Sequence, residues 1–179
     1  MKTGYGILGV CLALLCCVKA VAKEEPPTTA GDVDLVRYQG LWYEQARLPM
    51  FFQRGCVAST AEYKLDPSFQ VDVINRCRTK DGKQKEAIGK AWPQHSGSTD
   101  KLWVRFDNWF SRLAPSLTKG EYWILYVDPN YQYAVVGDSQ RKYLWLLSRQ
   151  ERINAPTREA LLMVARDKGY DVDRLLWRE

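Results

Sequence analysis

The residues that could do covalent chemistry are few and scattered. His95 is the single histidine of the 179-residue chain. It stands in a polar turn beside Ser96 and Ser98, with no acidic partner at a useful spacing and no strand–turn–helix elbow around either serine. A nucleophile–histidine–acid triad is therefore not expected there. No cysteine and histidine cluster has metal-ligand spacing, and no glycine-rich phosphate loop is present, so neither a metal nor a cofactor is expected. The paired carboxylates Glu24 and Glu25 fall in a polar leader, without the rigid frame that general acid–base work needs. Two residues keep an enzymatic alternative open, a reduced Cys77 as nucleophile and Glu44 as acid or base. The leading expectation is a protein that binds and does not catalyse.

A non-catalytic constellation is better formed. Gly40-Leu41-Trp42-Tyr43-Glu44 opens a strand just after a short helical turn over Val33 to Tyr38, and glycine there lets the chain bend sharply into the strand. Far away, Tyr143-Leu144-Trp145-Leu146-Leu147-Ser148-Arg149 ends another strand. If the first and last strands of a closed sheet are neighbours, the Arg149 guanidinium can stack on the Trp42 indole and seal one end.

The elements that would position these residues are short alternating strands near 42–48, 57–65, 70–78, 84–92, 101–107, 121–128, 132–137 and 143–150. Turn signals such as Asp66-Pro67-Ser68, Asp81-Gly82 and Asp128-Pro129-Asn130 punctuate them. Eight strands joined mainly by tight hairpins describe an antiparallel up-and-down β-barrel wide enough for one small ligand. The long connection from Asn108 to Gly120 breaks the rhythm. Its apolar stretch 109–117 carries Trp109, Phe110, Leu113 and Leu117, which suits a cap on the barrel, a contact with a membrane or partner, or packing on the outer wall. A C-terminal helix, opened by Asn154 and Pro156 and closed by Gly169, presents Leu161, Leu162, Val164 and Ala165 on one face and should pack on the barrel wall. A last short strand is expected over Leu175 to Trp177.

The N-terminus has the form of a signal peptide. Lys2 is followed by an apolar run from Ile7 to Val18 and a small-residue cleavage site at Ala20-Val21-Ala22. This divides the chain into a signal at 1–22, a flexible leader at 23–32 and one domain at 33–179. The expected location is exported, either periplasmic or secreted. Cys16 and Cys17, at the end of the apolar run, leave open a lipid anchor to the outer membrane. Cys11, Cys16 and Cys17 leave with the signal, so Cys56 and Cys77 remain as a pair for one disulfide. A hairpin turn centred near Pro67 makes them near neighbours across its open end. Without Lys2 and Lys19 the chain carries 24 basic against 21 acidic residues, interspersed, which argues against nucleic acid as a partner. Oligomeric state is left open.

Gly40-Leu41-Trp42-Tyr43-Glu44, the run Val127 to Val136 and Arg149 resemble the three signatures of the lipocalin family, and the resemblance extends from about Val33 to Trp177. It is nearest the apolipoprotein D-like and bacterial outer-membrane branches. The resemblance implies a carrier of a small hydrophobic ligand such as a fatty acid or lysophospholipid, with a role in membrane lipid maintenance. It further implies that Ala61, Tyr63, Val73, Asn75 and Trp123 face the ligand, with Phe51 and Phe52 at the mouth. Strict alternation along the first and last strands adds Glu44, Ala46 and Leu48, and Tyr143, Trp145 and Leu147, to the inward set. The expected binding residues are thus Tyr63, Ala61, Asn75, Trp123, Tyr143, Trp145 and Phe52. Gly40, Trp42 and Arg149 form the barrel-end cluster.

Overall fold

The computed structural model describes residues 25–107 and 119–179. The segments expected as signal peptide and as the apolar stretch 109–117 lie outside the described residues.

The chain enters through a one-turn helix α1 (Leu35–Tyr38), whose N-terminal amides are capped by the Asp34 carboxylate. Eight strands follow: β1 (Gly40–Arg47), β2 (Cys56–Leu65), β3 (Val71–Thr79), β4 (Gln84–Pro93), β5 (Lys101–Phe106), β6 (Lys119–Val127), β7 (Tyr133–Gly137) and β8 (Leu144–Ser148). Each pairs antiparallel with the next, and β1 pairs with both β8 and β2, so the sheet closes on itself. Helix α2 (Ala155–Asp167) then packs on the outside. Its N-terminus is capped by Asn154, and Gly169 follows its end at φ +82°.

Closure depends on how β1 is shared. Gly40 to Tyr43 pair with Tyr63 to Thr60 of β2. Beyond Tyr43 those two strands part, and the C-terminal strand β9 (Leu176–Trp177) takes over the free edge by pairing with Ala46 and Arg47. The seam is then stitched to both sides, Arg178 N–H donating to the Gln45 carbonyl and Glu179 N–H to that of Val57. Covering an open strand edge in this way satisfies backbone groups that would otherwise be left for another chain.

Two apolar clusters result. The interior cluster includes Trp42, Tyr63, Val73, Leu102, Ile124 and Leu147. The outer cluster joins α2, through Leu161, Leu162 and Ala165, to Leu125, Val135 and Leu146 of the wall. The hydroxyl end of Tyr170 sits against Gly137, where an added Cβ would fall 2.1 Å from the hydroxyl oxygen. That hydroxyl donates to the Asp138 carbonyl and accepts from the Asp138 amide.

Three sequence expectations need correcting. Residues 25–32, expected as a flexible leader, are tied to the barrel: Ala30 N–H donates to the Ile124 carbonyl, Thr29 bonds Asp100 and Lys168 bonds Thr28. Strict alternation along β1 also fails. A bulge between Glu44 and Ala46 shifts the register by one, so Ala46 and Leu48 join the outer cluster and Arg47 turns inward. Finally, the β2–β3 hairpin is centred one residue later than Pro67. Ala61 opposes Asn75, and Cys77 opposes Ser59. A second bulge between Cys56 and Ala58 brings the cysteines together nonetheless, and the Cys56–Cys77 disulfide forms with Cα atoms 5.6 Å apart.

Candidate ligand-binding interior

One end of the barrel is sealed from the sequence signatures up. Trp42 is fully buried, and its indole N–H donates to the Tyr38 carbonyl at the end of α1. The Arg149 guanidinium stacks on the Trp42 ring at 3.8 Å from its centroid. It also donates to the main-chain carbonyls of Arg37, Tyr38, Gln39, Leu41 and Tyr131. These carbonyls include the unsatisfied C-terminal end of α1, where a cation is favoured. Gly40, at φ +96°, passes within 3.3 Å (measured from an added Cβ) of the guanidinium. The turn Asp128–Tyr131 belongs to the same assembly. Asp128 accepts the amides of Asn130, Gln132 and Tyr133, and Arg37 lies over the Tyr131 ring.

Above this floor lie three tyrosines. Tyr38 stacks on Tyr63 at 5.7 Å, and Tyr63 meets Tyr122 edge-on at 5.8 Å. Their hydroxyls form a chain, 2.9 Å from Tyr38 to Tyr122 and 2.9 Å from Tyr122 to Tyr63. Burial raises all three above the ordinary tyrosine range, so they remain neutral hydroxyls.

The bulge in β1 creates a polar group nearer the mouth. Arg47 and Glu44, 4% and 6% exposed, form an ion pair at 2.7 Å. Arg47 also donates to the carbonyls of Gln53 and Cys56, and the Gln53 amide donates to Glu44. The Trp145 indole N–H donates to Gln53 at 3.0 Å. Asn75 Oδ1 and Arg47 Nε are buried without a partner. At the rim, a 3-10 turn (Phe51–Gln53) carries Phe51 and Phe52, 78% and 54% exposed. Phe52 packs on Tyr143, which stacks on Trp145.

Among the expected binding residues, Ala61, Tyr63, Asn75 and Trp145 lie on the interior face, with Tyr143 and Phe52 at its rim. Trp123 does not belong with them. It opposes Lys101 and Gly137, joins the outer cluster and has the Lys101 ammonium 4.6 Å over its ring. The face of β6 is opposite to that expected: Tyr122 and Ile124 point inward, which turns Trp123 out. Sequence reasoning missed Tyr38, Tyr122, Arg47 and Gln53. Tyr122 was recoverable from the same alternation once the face was right, whereas Arg47 depends on the bulge and Gln53 on a non-regular turn.

Cys77 is in the disulfide, and Glu44 is held by Arg47 and Gln53. His95 is exposed on the β4–β5 connection, beside a cleft of about 510 Å³ bounded also by Leu35 and Phe69. Among the described residues, no group of three or more His, Cys, Asp or Glu side chains is placed to hold a metal ion.

A closed antiparallel barrel with one sealed end, an aromatic interior and a helix on its wall is an architecture suited to holding a small molecule. Comparison with known proteins agrees. The family model of the lipocalin-like domain matches residues 33–179. Temperature-induced lipocalin-1 of Arabidopsis thaliana is 35% identical over 86% of this chain and 82% of its own length. The outer membrane lipoprotein Blc of Citrobacter freundii is 33% identical over 89% and 88%. Apolipoprotein D of Bos taurus is 28% identical over 83% and 78%. Among solved structures, insecticyanin of Manduca sexta superposes with a TM-score of 0.65 at 19% identity, covering 88% of this chain and 85% of that one, a likeness of fold. The chain belongs to the lipocalin family, whose members bind and transport small hydrophobic ligands.

Proposed function

We propose that this protein is an exported carrier that holds a small lipid in its barrel and supports the maintenance of membrane lipids. The observation that carries the reading is the interior itself. A hydrocarbon finds Ala61, Val73, Ile124 and Trp145 there, while Tyr63 and Asn75 offer polar atoms among them. Ala61, Tyr63, Asn75 and Trp145 are the contact residues in this reading, with Tyr143 and Phe52 at the entrance. Export is supported by the apolar N-terminal run with its small-residue cleavage site and by the disulfide, a bond that persists in oxidising compartments. Among the described residues, no helix is long and apolar enough to cross a membrane. In this reading, attachment to a membrane is by acylation of Cys16 or Cys17 or by peripheral contact.

The test is a titration of the purified protein with a fluorescent lipid analogue. Binding at micromolar or lower concentration is expected. Tyr63→Ala and Trp145→Ala should weaken it about tenfold or more, while Trp123→Ala leaves it within about twofold. Unchanged affinity in both interior variants would contradict the site.

A further inference from the structure

The charges inside the barrel bear on which polar end a carried lipid has, a question that rests on the carrier reading above. Among the described residues, the buried charged ones are Glu44, Arg47 and Asp138. Asp138 lies under Tyr170 on the outer wall. Glu44 and Arg47 face the interior and neutralise one another at 2.7 Å. Nη2 of Arg47 is taken by the carbonyls of Gln53 and Cys56, and Nε–H is buried without a partner. Arg149 is spent on five carbonyls beneath Trp42. Lys85, opposite Cys77 in the sheet, is exposed at the rim, where water screens it.

The free polar atoms are otherwise neutral. Tyr122 donates to Tyr63, so the single proton of Tyr122 is used and Tyr38 must be the donor to Tyr122. The Tyr63 hydroxyl proton at the end of the chain then has no acceptor among the described residues. Asn75 Oδ1 is a buried acceptor with no donor. Asn75 opposes Ala61, two residues from Tyr63 on the same face, which makes the two side chains diagonal neighbours roughly 7–8 Å apart at Cα. Donor and acceptor together suit a group that both accepts and donates, such as a hydroxyl or a primary amide. A carboxylate would lose its water and gain no net opposite charge, and it has no proton to give to Asn75 Oδ1.

From this arrangement we infer that the barrel selects lipids with an uncharged polar end, long-chain alcohols or amides, over the matching fatty-acid anions. Glu44 is the residue that sets this preference, by cancelling Arg47.

The experiment compares oleyl alcohol, oleamide and oleate, which share one hydrocarbon chain. Binding to the purified protein is followed by intrinsic tryptophan fluorescence at pH 8, below the concentrations at which the lipids aggregate. The alcohol and the amide are expected to bind at least about tenfold more tightly than oleate. Lowering the pH until oleate is protonated should close that gap. Glu44→Gln, which leaves Arg47 uncompensated, should shift the ratio toward oleate. If that variant does not fold, the wild-type ratio and its pH dependence decide alone. Oleate binding as tightly as the alcohol at pH 8 would overturn the inference and leave the carrier reading standing, as would a folded Glu44→Gln with an unchanged ratio. Failure of all three lipids to bind would overturn the carrier reading as well.

Discussion

The sealed end shows how much a single side chain can hold together. Arg149 joins α1, the start of β1 and the β6–β7 turn through five carbonyls and one indole face. Lysine has neither the planar face nor the fork to do this. Arg149→Lys should therefore lower stability by about 2 kcal/mol in urea unfolding, and a change below a few tenths would contradict the role. The tyrosine chain makes a second prediction. Tyr38, Tyr63 and Tyr122 have folded-state values raised above those of the unfolded chain. Their contribution to stability is fully present below the unfolded value of about 10 and is lost as pH rises through the folded one. In an alkaline titration followed by tyrosine absorbance, these three should ionise only as the barrel unfolds. Replacing Tyr122 by Phe should reduce the alkaline loss of stability. At this scale Trp42, Gly40 and Arg149 were legible because each has a type that only a special position requires. Arg47 was not, because it reads as a surface cation until a bulge turns it inward.

At the scale of elements, the strand boundaries were legible to within two residues, since turn residues and period-two alternation mark them. Which face is inside was less legible. On β6 both faces are apolar, Tyr122 and Ile124 within and Trp123 and Leu125 beneath the helix side, so alternation of hydrophobicity could not choose between them. Bulges were invisible for a related reason: they leave no residue of unusual type at Gln45 or Val57. The β2–β3 hairpin is stapled by Cys56–Cys77, separated by 21 residues. Replacing both cysteines by serine should cost about 3 kcal/mol if the bond acts mainly on the unfolded chain, as measured by denaturant unfolding. Contact between β7 and the segment after α2 depends on the absence of a side chain at Gly137. Gly137→Ala should displace Tyr170 from Asp138 and cost about 2 kcal/mol, with a matching fall in the thermal midpoint.

The whole molecule is a barrel with two unlike surfaces of its own wall, an inner one rich in aromatic side chains and an outer one used for α2. The aromatic residues divide between them. Trp42, Tyr63, Tyr122 and Trp145 line or floor the interior, whereas Trp103 and Trp123 lie outside under the Lys119 and Lys101 ammonium groups. Composition alone, rich in tryptophan and tyrosine, pointed to an aromatic pocket but could not make that division. The most direct test of the carrier account is therefore one of location. A long-chain alcohol bearing a photoreactive diazirine, crosslinked to the purified protein and mapped by peptide mass spectrometry, should label peptides from the interior face around Ala61, Tyr63, Asn75 and Trp145, and excess oleyl alcohol should compete. Labelling confined to the outer wall around Trp103 and Trp123, or labelling that oleyl alcohol does not reduce, would contradict a ligand held inside the barrel.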